Sequence, residues 1–225
     1  MPFTGSHPAA VLPVLRWLPP SALIIGSMAP DAPFYLPLPA AFADTHSLAG
    51  LISSDLVIGV VAFALWQELL GPAVIAFAPA ALRRRLPARV PVGLRHHLGS
   101  VRRAASVLVA LVFGAWTHVF WDSFTHGGMW GSEHVAWLRT HYHWAQDAST
   151  VVGGLAVLAA AVGWWRRHPP GRAVRTHPSA PLVWVTVVGA MIAGGLYGFV
   201  STFHWTSPAS AHVVRIGTAN VRSLP

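Results

Sequence analysis

Long apolar runs separated by short polar segments organise this chain of 225 residues. A helix that crosses a bilayer needs roughly 17–25 apolar residues. Four runs meet that length, and they cover residues 48–70, 104–124, 149–165 and 182–203. A further apolar segment, residues 72–82, is shorter. The pattern predicts an all-α polytopic membrane protein with about four spanning helices, built as a single integral membrane domain over residues 1–225.

The N-terminal region is apolar but interrupted by prolines. Residues 9–18 and 21–28 are each predicted to form a short helix, and neither is long enough to span a bilayer alone. We therefore expect residues 1–47 to contain a helical hairpin that lies on the membrane or dips into it. The proline-rich residues 30–39 are predicted to form a non-helical loop. The spanning bundle is assigned to residues 48–203, and the tail, 204–225, is expected to be poorly ordered.

Composition supports a membrane protein and restricts its chemistry. The chain is 54% hydrophobic and only 10% charged, which is unlike an ordinary soluble domain. It contains no cysteine, which excludes disulfides, thiolate metal sites and cysteine nucleophiles. Any metal must therefore be held by His, Asp or Glu. No basic segment precedes the first apolar stretch, so no cleavable signal peptide is predicted.

The formal net charge of +8 comes from arginine, because the chain has no lysine. Most of the arginines fall in two loops between apolar runs, residues 83–103 and 166–175. This pattern is typical of cytoplasmic loops in membrane proteins, and we favour it over nucleic-acid binding. With both loops in the cytoplasm, residues 1–47, 122–148 and the C-terminal tail lie on the outer side.

Three ligand-type side chains, His118, Asp122 and His126, are spaced four residues apart near the end of the second predicted span. Each step of four residues turns only about 40° around a helix, so the three form one stripe. Two imidazoles and a carboxylate are suitable ligands for zinc or a similar divalent ion. A carboxylate in a spanning helix costs about 2.5–3.5 kcal/mol at the bilayer centre and less near its edge. The stripe is therefore a candidate functional site.

Three further candidates, His7, Asp31 and His46, fall on the same predicted side of the membrane as the stripe. A two-metal site needs about six to eight nitrogen and oxygen ligands with a bridging carboxylate. The six residues would supply that set, with either aspartate bridging two ions or acting as a base. A further pair at the same spacing, His143 and Asp147, would complete it.

Each of these residues also has a purely structural interpretation. His7 would cap the first helix, Asp31 is a common turn residue after proline, and His46 would be a polar residue at the membrane interface. Asp44 is interpreted as a helix N-cap. Five tryptophans are interpreted as an interfacial aromatic belt rather than as a surface for stacking a substrate, and they are Trp116, Trp121, Trp130, Trp137 and Trp144.

Four motifs in order resemble a known family. They are the opening MPFTGSHPAA, then GSMAPD at residues 26–31, THS at residues 45–47 and HVFWDSFTH at residues 118–126. Together they are similar to the bacterial membrane-protein family called domain of unknown function 4184, over nearly the whole chain. More distantly, the order of His and Asp resembles membrane-bound metal-dependent hydrolases, zinc-dependent phospholipase C and S1/P1 nucleases.

The distant resemblance implies an all-helical metal enzyme that cleaves phosphoesters. The ligands it implies are His7, Asp31, His46, His118, Asp122 and His126. It places the pair His143 and Asp147 where those enzymes have His-x-x-x-Glu, so Asp stands in place of Glu. The enzymes also use the amine of an N-terminal tryptophan, whereas this chain begins Met-Pro. One or two ions are therefore expected rather than three.

The resulting functional expectation is a membrane-bound metal-dependent hydrolase of the bacterial cytoplasmic membrane, with its site on the extracytoplasmic side. The expected cofactor is a divalent metal, with zinc favoured, and the expected substrate is a lipid or a phosphoester. The alternative is a non-enzymatic membrane protein in which the His and Asp side chains hold a structural metal or form a hydrogen-bond network. A transporter is disfavoured, because Asp55 and Glu68 are the only acids within the predicted spans apart from the stripe.

Overall fold

The computed structural model describes residues 3–42, 44–87, 90–171 and 177–205. It is 75% helical, and the described residues contain no strand. The predicted all-α class is therefore confirmed. Contacts between Cα atoms group the chain into two units, Met1–Ala76 with Ala80–Val174, and Phe77–Pro79 with Arg175–Pro225. All the candidate site residues belong to the first unit.

The N-terminal region forms short helices, as predicted, but their type differs from the prediction. It contains a 3₁₀ helix, Thr4–Val14, then α1, Pro20–Gly26, a 3₁₀ turn, Ala29–Asp31, and α2, Ala32–Tyr35. Two prolines inside the first helix lack the N–H that an α-helix would use. The prediction of a non-helical loop was wrong for the first part of residues 30–39. Prolines there occupy first-turn positions, where a missing N–H costs little.

A helical segment, Gly50–Ala76, follows and is 27 residues long, with a non-helical backbone conformation at Ser53. It consists of a 3₁₀ turn, Gly50–Ile52, then α3, Ser54–Leu65, a π-helical turn, Trp66–Leu70, and α4, Gly71–Ala76. The π turn ends two residues before Pro72, whose ring would clash with the carbonyl four residues earlier in a regular α-helix. Two short helices come next, α5, Ala80–Arg83, and α6, Leu94–Leu98.

The longest helices form the second half of the chain. They are α7, Val101–Thr125, α9, Leu138–Arg167, and α10, Ala180–Trp205, with the short α8, Trp130–His134, between the first two. The backbone of α9 kinks at His141, and this helix begins eleven residues before the predicted span. The Ser100 hydroxyl caps α7 by accepting a hydrogen bond from the Arg103 N–H.

Three described helices are long and apolar enough to cross a membrane, namely Gly50–Ala76, α7 and α9. The fourth predicted span corresponds to α10, whose described apolar part, Ala180–Ala190, is shorter than the other three. The predicted polytopic membrane architecture is therefore confirmed, and the number of four spans is approximate. The predicted tail lies outside the described residues from position 206 onward.

Glycines allow the helices to approach one another where the N-terminal segment meets α7 and α9. A Cβ atom on Gly114 of α7 would lie 2.5 Å from the Leu23 carbonyl oxygen, and one on Gly26 of α1 would overlap the Leu111 carbonyl. On α9, a Cβ atom on Gly153 would lie 2.8 Å from the Ser6 Cβ. These close contacts hold the N-terminal segment against both spanning helices.

Candidate metal centre

Four side chains from distant parts of the chain meet at the outer end of α7, where "outer" denotes the predicted side. Each offers one ligand atom, and the four atoms all lie within 4.8 Å of one another. We call this group the His/Asp cluster, and it consists of Asp31, His46, His118 and Asp122.

The spacing within the His/Asp cluster matches a single four-coordinate ion. The His46 Nε2 lies 3.2 Å from Asp31 Oδ1 and 3.6 Å from Asp122 Oδ2. The His118 Nε2 lies 3.3 and 3.4 Å from the same two oxygens, and the two Nε2 atoms are 3.2 Å apart. Ligands about 2.0–2.1 Å from a tetrahedral zinc ion are about 3.3–3.4 Å from one another. Five of the six distances between the four ligand atoms are thus close to those around a tetrahedral zinc ion.

Burial makes this arrangement costly without a cation. The side chains of His118 and Asp122 are fully buried, and Asp31 is about as deeply buried. The oxygens that face the centre, Asp31 Oδ1 and Asp122 Oδ2, have no hydrogen-bond partner among the described residues. A buried polar group without a partner costs about 1–3 kcal/mol, and a charged one costs more. A bound cation would remove that cost.

The ring of His118 is oriented by the end of α1. Its Nδ1 lies 2.8 Å from the Ser27 carbonyl oxygen, which only accepts, so Nδ1 carries the proton. If the ring is neutral with this tautomer, its Nε2 has a lone pair that faces the cluster, as a metal ligand requires. Because Ser27 directly follows Gly26, the close approach of α1 to α7 creates this hydrogen bond.

Asp31 is held by a chain of hydroxyl groups. The Thr4 hydroxyl donates a short hydrogen bond to Asp31 Oδ2, so the Tyr35 hydroxyl, 2.8 Å away, donates to Thr4. Burial acts to raise the pKa of Asp31, but the adjacent His118 and His46 outweigh it and hold this pKa well below its usual value. Asp31 is therefore a carboxylate, with one oxygen fixed by Thr4 and the other facing the cluster.

His46 has an unusual backbone conformation. Its φ of 66° makes it the only non-glycine residue with positive φ in the described chain, and such strain is concentrated at functional sites. Its side chain is 18% exposed, the most accessible of the cluster. Burial acts to lower the pKa of His46, but contacts with Asp122 and Asp31 outweigh it and raise this pKa overall.

The two remaining predicted ligands flank Asp122. The His7 ring stacks on the His118 ring at 3.8 Å, and its Nε2 lies 3.5 Å from Asp122 Oδ1. Burial, followed by the nearby His118, lowers the pKa of His7 to about 4, so the ring is neutral at pH 7. His126 is 26% exposed, and its Nδ1 lies 3.6 Å from Asp122 Oδ2 and 3.1 Å from the Asp122 carbonyl oxygen. Their role as ligands stays a prediction.

The pair His143 and Asp147 lies elsewhere, near the start of α9. Both side chains are exposed, and neither belongs to the His/Asp cluster. The His143 ring contacts the neighbouring Tyr142 ring at 4.0 Å. The structure thus brings six of the eight predicted residues together and leaves these two outside. Their role as additional ligands stays a prediction.

Two supporting features were missed by reasoning from the sequence. Thr4 and Tyr35 carry the hydroxyl chain to Asp31, and only the position of Thr4 in the opening motif hinted at this. Asp55, noted only as an acid within a span, is buried, and both of its carboxylate oxygens lack a hydrogen-bond partner among the described residues.

A cavity of about 390 Å³ reaches the His/Asp cluster. It touches two cluster members, His46 and Asp122, and is bordered by residues from α2, the loop before the first span and the end of α7. Its lining residues are Pro33, Phe34, Thr45, His46, Asp122, His126 and Met129. Small molecules can therefore approach the cluster on its most exposed side.

Fold and site together define a polytopic helical membrane protein with a buried cluster of two histidines and two aspartates. Residues 1–223 match the family described as a domain of unknown function (DUF4184). The chain belongs to this family, as its motifs predicted. Comparisons with curated proteins and with solved structures found no match.

Proposed function

We propose that this protein is a membrane-bound metal-dependent hydrolase whose divalent ion, with zinc favoured, is held by the His/Asp cluster. The observation that carries the proposal is the convergence of four ligand atoms within 4.8 Å of one another, with five of the six separations at 3.2–3.6 Å. Two nitrogens and two carboxylate oxygens are a donor set that zinc prefers. When bound, such an ion supplies Lewis acidity and lowers the pKa of water toward neutrality.

The two aspartates have different surroundings and therefore different proposed roles. Asp31 is fixed by Thr4 and does not line the cavity, so it orients and neutralises the ion. Asp122 lines the cavity and contacts His7 through its other oxygen. Asp122 is therefore the better placed of the two to bridge a second ion or to accept a proton.

The proposed location is the bacterial cytoplasmic membrane, with the cluster on the extracytoplasmic side, and the proposed substrate is a lipid or a phosphoester. The arginine loops support this orientation.

The proposed orientation can be tested by cysteine labelling. Because the chain has no cysteine, a single introduced cysteine reports the side of one position only. An impermeant maleimide added to intact cells should label Glu133→Cys and should label Arg95→Cys only after the cells are opened. The opposite pattern would reverse the proposed orientation.

A structural metal is the second candidate, and the completeness of the ligand set favours it. Structural zinc sites are closed by four protein ligands, whereas catalytic sites keep an open position. The His/Asp cluster already offers four ligand atoms, the number that a closed tetrahedral site uses. Catalysis would then require a fifth ligand, and the cavity beside His46 and Asp122 provides the space for it.

Metal analysis of the detergent-purified protein tests the proposal first. We expect about one or two equivalents of zinc, manganese or iron, which are lost in His118→Ala. Assays on ester and phosphoester substrates then separate the two candidates. Metal without turnover supports the structural site, and a protein without stoichiometric metal contradicts both.

A further inference from the structure

The cavity beside the His/Asp cluster combines two kinds of surface. Ligand-type atoms from His46, Asp122 and His126 form one part of its lining. Pro33, Phe34 and Met129 provide apolar surface. Its volume of about 390 Å³ falls within the range of about 300–1,000 Å³ typical of small-molecule sites. A ligand that fits both surfaces carries an apolar chain next to a polar, reactive group.

The charge of the site disfavours an anionic reactive group. A divalent ion would be balanced by the carboxylates of Asp31 and Asp122, which leaves no net charge when the histidines are neutral. Among the described residues no arginine lines the cavity, and the chain has no lysine. A phosphodiester would lose hydration of its negative charge there with no cationic side chain to replace it. A carbonyl ester is neutral and does not incur this cost.

The surroundings of the cavity favour a substrate that comes from the bilayer. Phe34, which lines it, is 60% exposed, and Trp130, which follows the lining residue Met129, is 62% exposed. Leu36, two residues beyond Phe34, is also exposed. On a protein with spanning helices, exposed apolar and aromatic side chains of this kind contact lipid and its interface.

We infer that the substrate is a neutral acyl ester of a lipid, whose apolar chain lies against Phe34 and Met129 while its carbonyl is beside His46 and Asp122. This inference rests on the proposed hydrolase function and narrows its substrate class. In the reaction, the oxygen of water bonds to the carbonyl carbon and the carbon–oxygen bond to the alcohol breaks. The alcohol leaves with a proton from that water, so ester and water become acid and alcohol.

Three chromogenic probes test the inference on the full-length, metal-loaded protein. They are 4-nitrophenyl octanoate, 4-nitrophenyl acetate and 4-nitrophenyl octyl phosphate, which separate chain length from charge. We expect kcat/KM for the octanoate to exceed that for either other probe by about tenfold or more. Phe34→Ala should lower the octanoate value by about tenfold and change the acetate value by less than about twofold. Trp137→Ala, an exposed aromatic that does not line the cavity, is the matched control and should change neither.

Photolabelling gives a readout that does not depend on turnover. A hydrolysis-resistant octanoyl amide carrying a diazirine should label the peptides that contain Phe34 or Met129, and excess octanoate ester should compete. Labelling elsewhere overturns the placement of the chain.

The outcomes distinguish this inference from the proposed function. A preference for the phosphodiester, or equal rates on octanoate and acetate, overturns the inference and leaves the proposed hydrolase function standing. Bound metal with no turnover of any probe overturns both and supports the structural site. A protein that binds no metal contradicts the proposed function itself.

Discussion

Two His/Asp pairs with identical spacing have opposite environments in this protein. His118 and Asp122 on α7 are fully buried and face Asp31 and His46. His143 and Asp147 on α9 are both exposed and lie outside the cluster. Both pairs occupy adjacent turns of a helix, so local geometry does not separate them.

The difference arises from what packs against each helix. The α1 segment approaches α7 at Gly114 and provides the Ser27 carbonyl that orients His118. At the start of α9, the exposed His143 has a ring contact with the adjacent Tyr142. Burial also changes the energetics, because an unpaired carboxylate is costly in the interior and inexpensive in water. A His/Asp pair on a helix therefore forms a candidate metal site only where other chain segments bury it and provide further ligands.

The largest expected effect is on metal content when the buried pair is changed. His118→Ala or Asp122→Ala removes one of four ligands and should weaken metal binding by more than about 100-fold. His143→Ala and Asp147→Ala are the matched controls and should retain the wild-type metal content. Elemental analysis after gel filtration measures the metal content of each variant. Equal loss in both pairs would show that α9 contributes ligands, as the sequence pattern predicted.

The second prediction concerns the helix contact that buries the pair. In Gly114→Ala, the added Cβ would meet the Leu23 carbonyl oxygen at 2.5 Å. We expect a loss of about 1–3 kcal/mol in stability together with weaker metal binding. Gly154→Ala on α9 meets nothing within 4 Å and should be neutral or stabilise the helix by up to about 1 kcal/mol. Thermal unfolding in detergent measures the stability of both variants. Similar melting temperatures for Gly114→Ala and Gly154→Ala would contradict the prediction.

The third prediction tests the hydroxyl chain behind Asp31. Thr4→Val keeps the shape of the side chain but removes the hydrogen bond to Asp31 Oδ2. Loss of such a supporting contact typically weakens metal binding by about 10- to 100-fold. Thr140→Val, at an exposed position on α9, is the control. Competition with a chromogenic chelator measures the affinities, and unchanged affinity in Thr4→Val would remove Thr4 from the site.

The smallest effect is expected at His126, the third member of the predicted stripe. The structure ends α7 at Thr125, and His126 follows it in an extended conformation. It is 26% exposed and contacts the cluster only through Asp122. His126→Ala should therefore weaken binding of the first ion by about tenfold or less. A loss as large as that in His118→Ala, measured by the same chelator competition, would instead make His126 a direct ligand.

Much of the architecture followed from periodicity and composition. The spanning helices are long apolar runs, and a bilayer requires such runs because the backbone must satisfy its own hydrogen bonds. Element boundaries were less accurate. The separately predicted residues 48–70 and 72–82 overlap one helical segment, Gly50–Ala76, because a π turn accommodates Pro72. Residues 32–35 are helical because Pro33 lies in a first turn.

The candidate residues were named from their chemistry and predicted side, but their partners were not. Spacing placed His118, Asp122 and His126 on one stripe, and the arginine loops placed His7, Asp31 and His46 on the same side. No local signal distinguished this stripe from His143 and Asp147. Nor did any signal show that the Ser27 carbonyl would fix a tautomer or that His46 would have positive φ.

By itself, the sequence determined an all-helical membrane protein of the DUF4184 family with ligand-type residues concentrated on one predicted side. Only the tertiary structure decided which of them meet within 4.8 Å. The physical reason is that hydrophobicity and helical period are local properties of the chain. The convergence of Asp31, His46, His118 and Asp122 depends on contacts between segments far apart in the chain, such as His118 with Ser27, which are 91 residues apart.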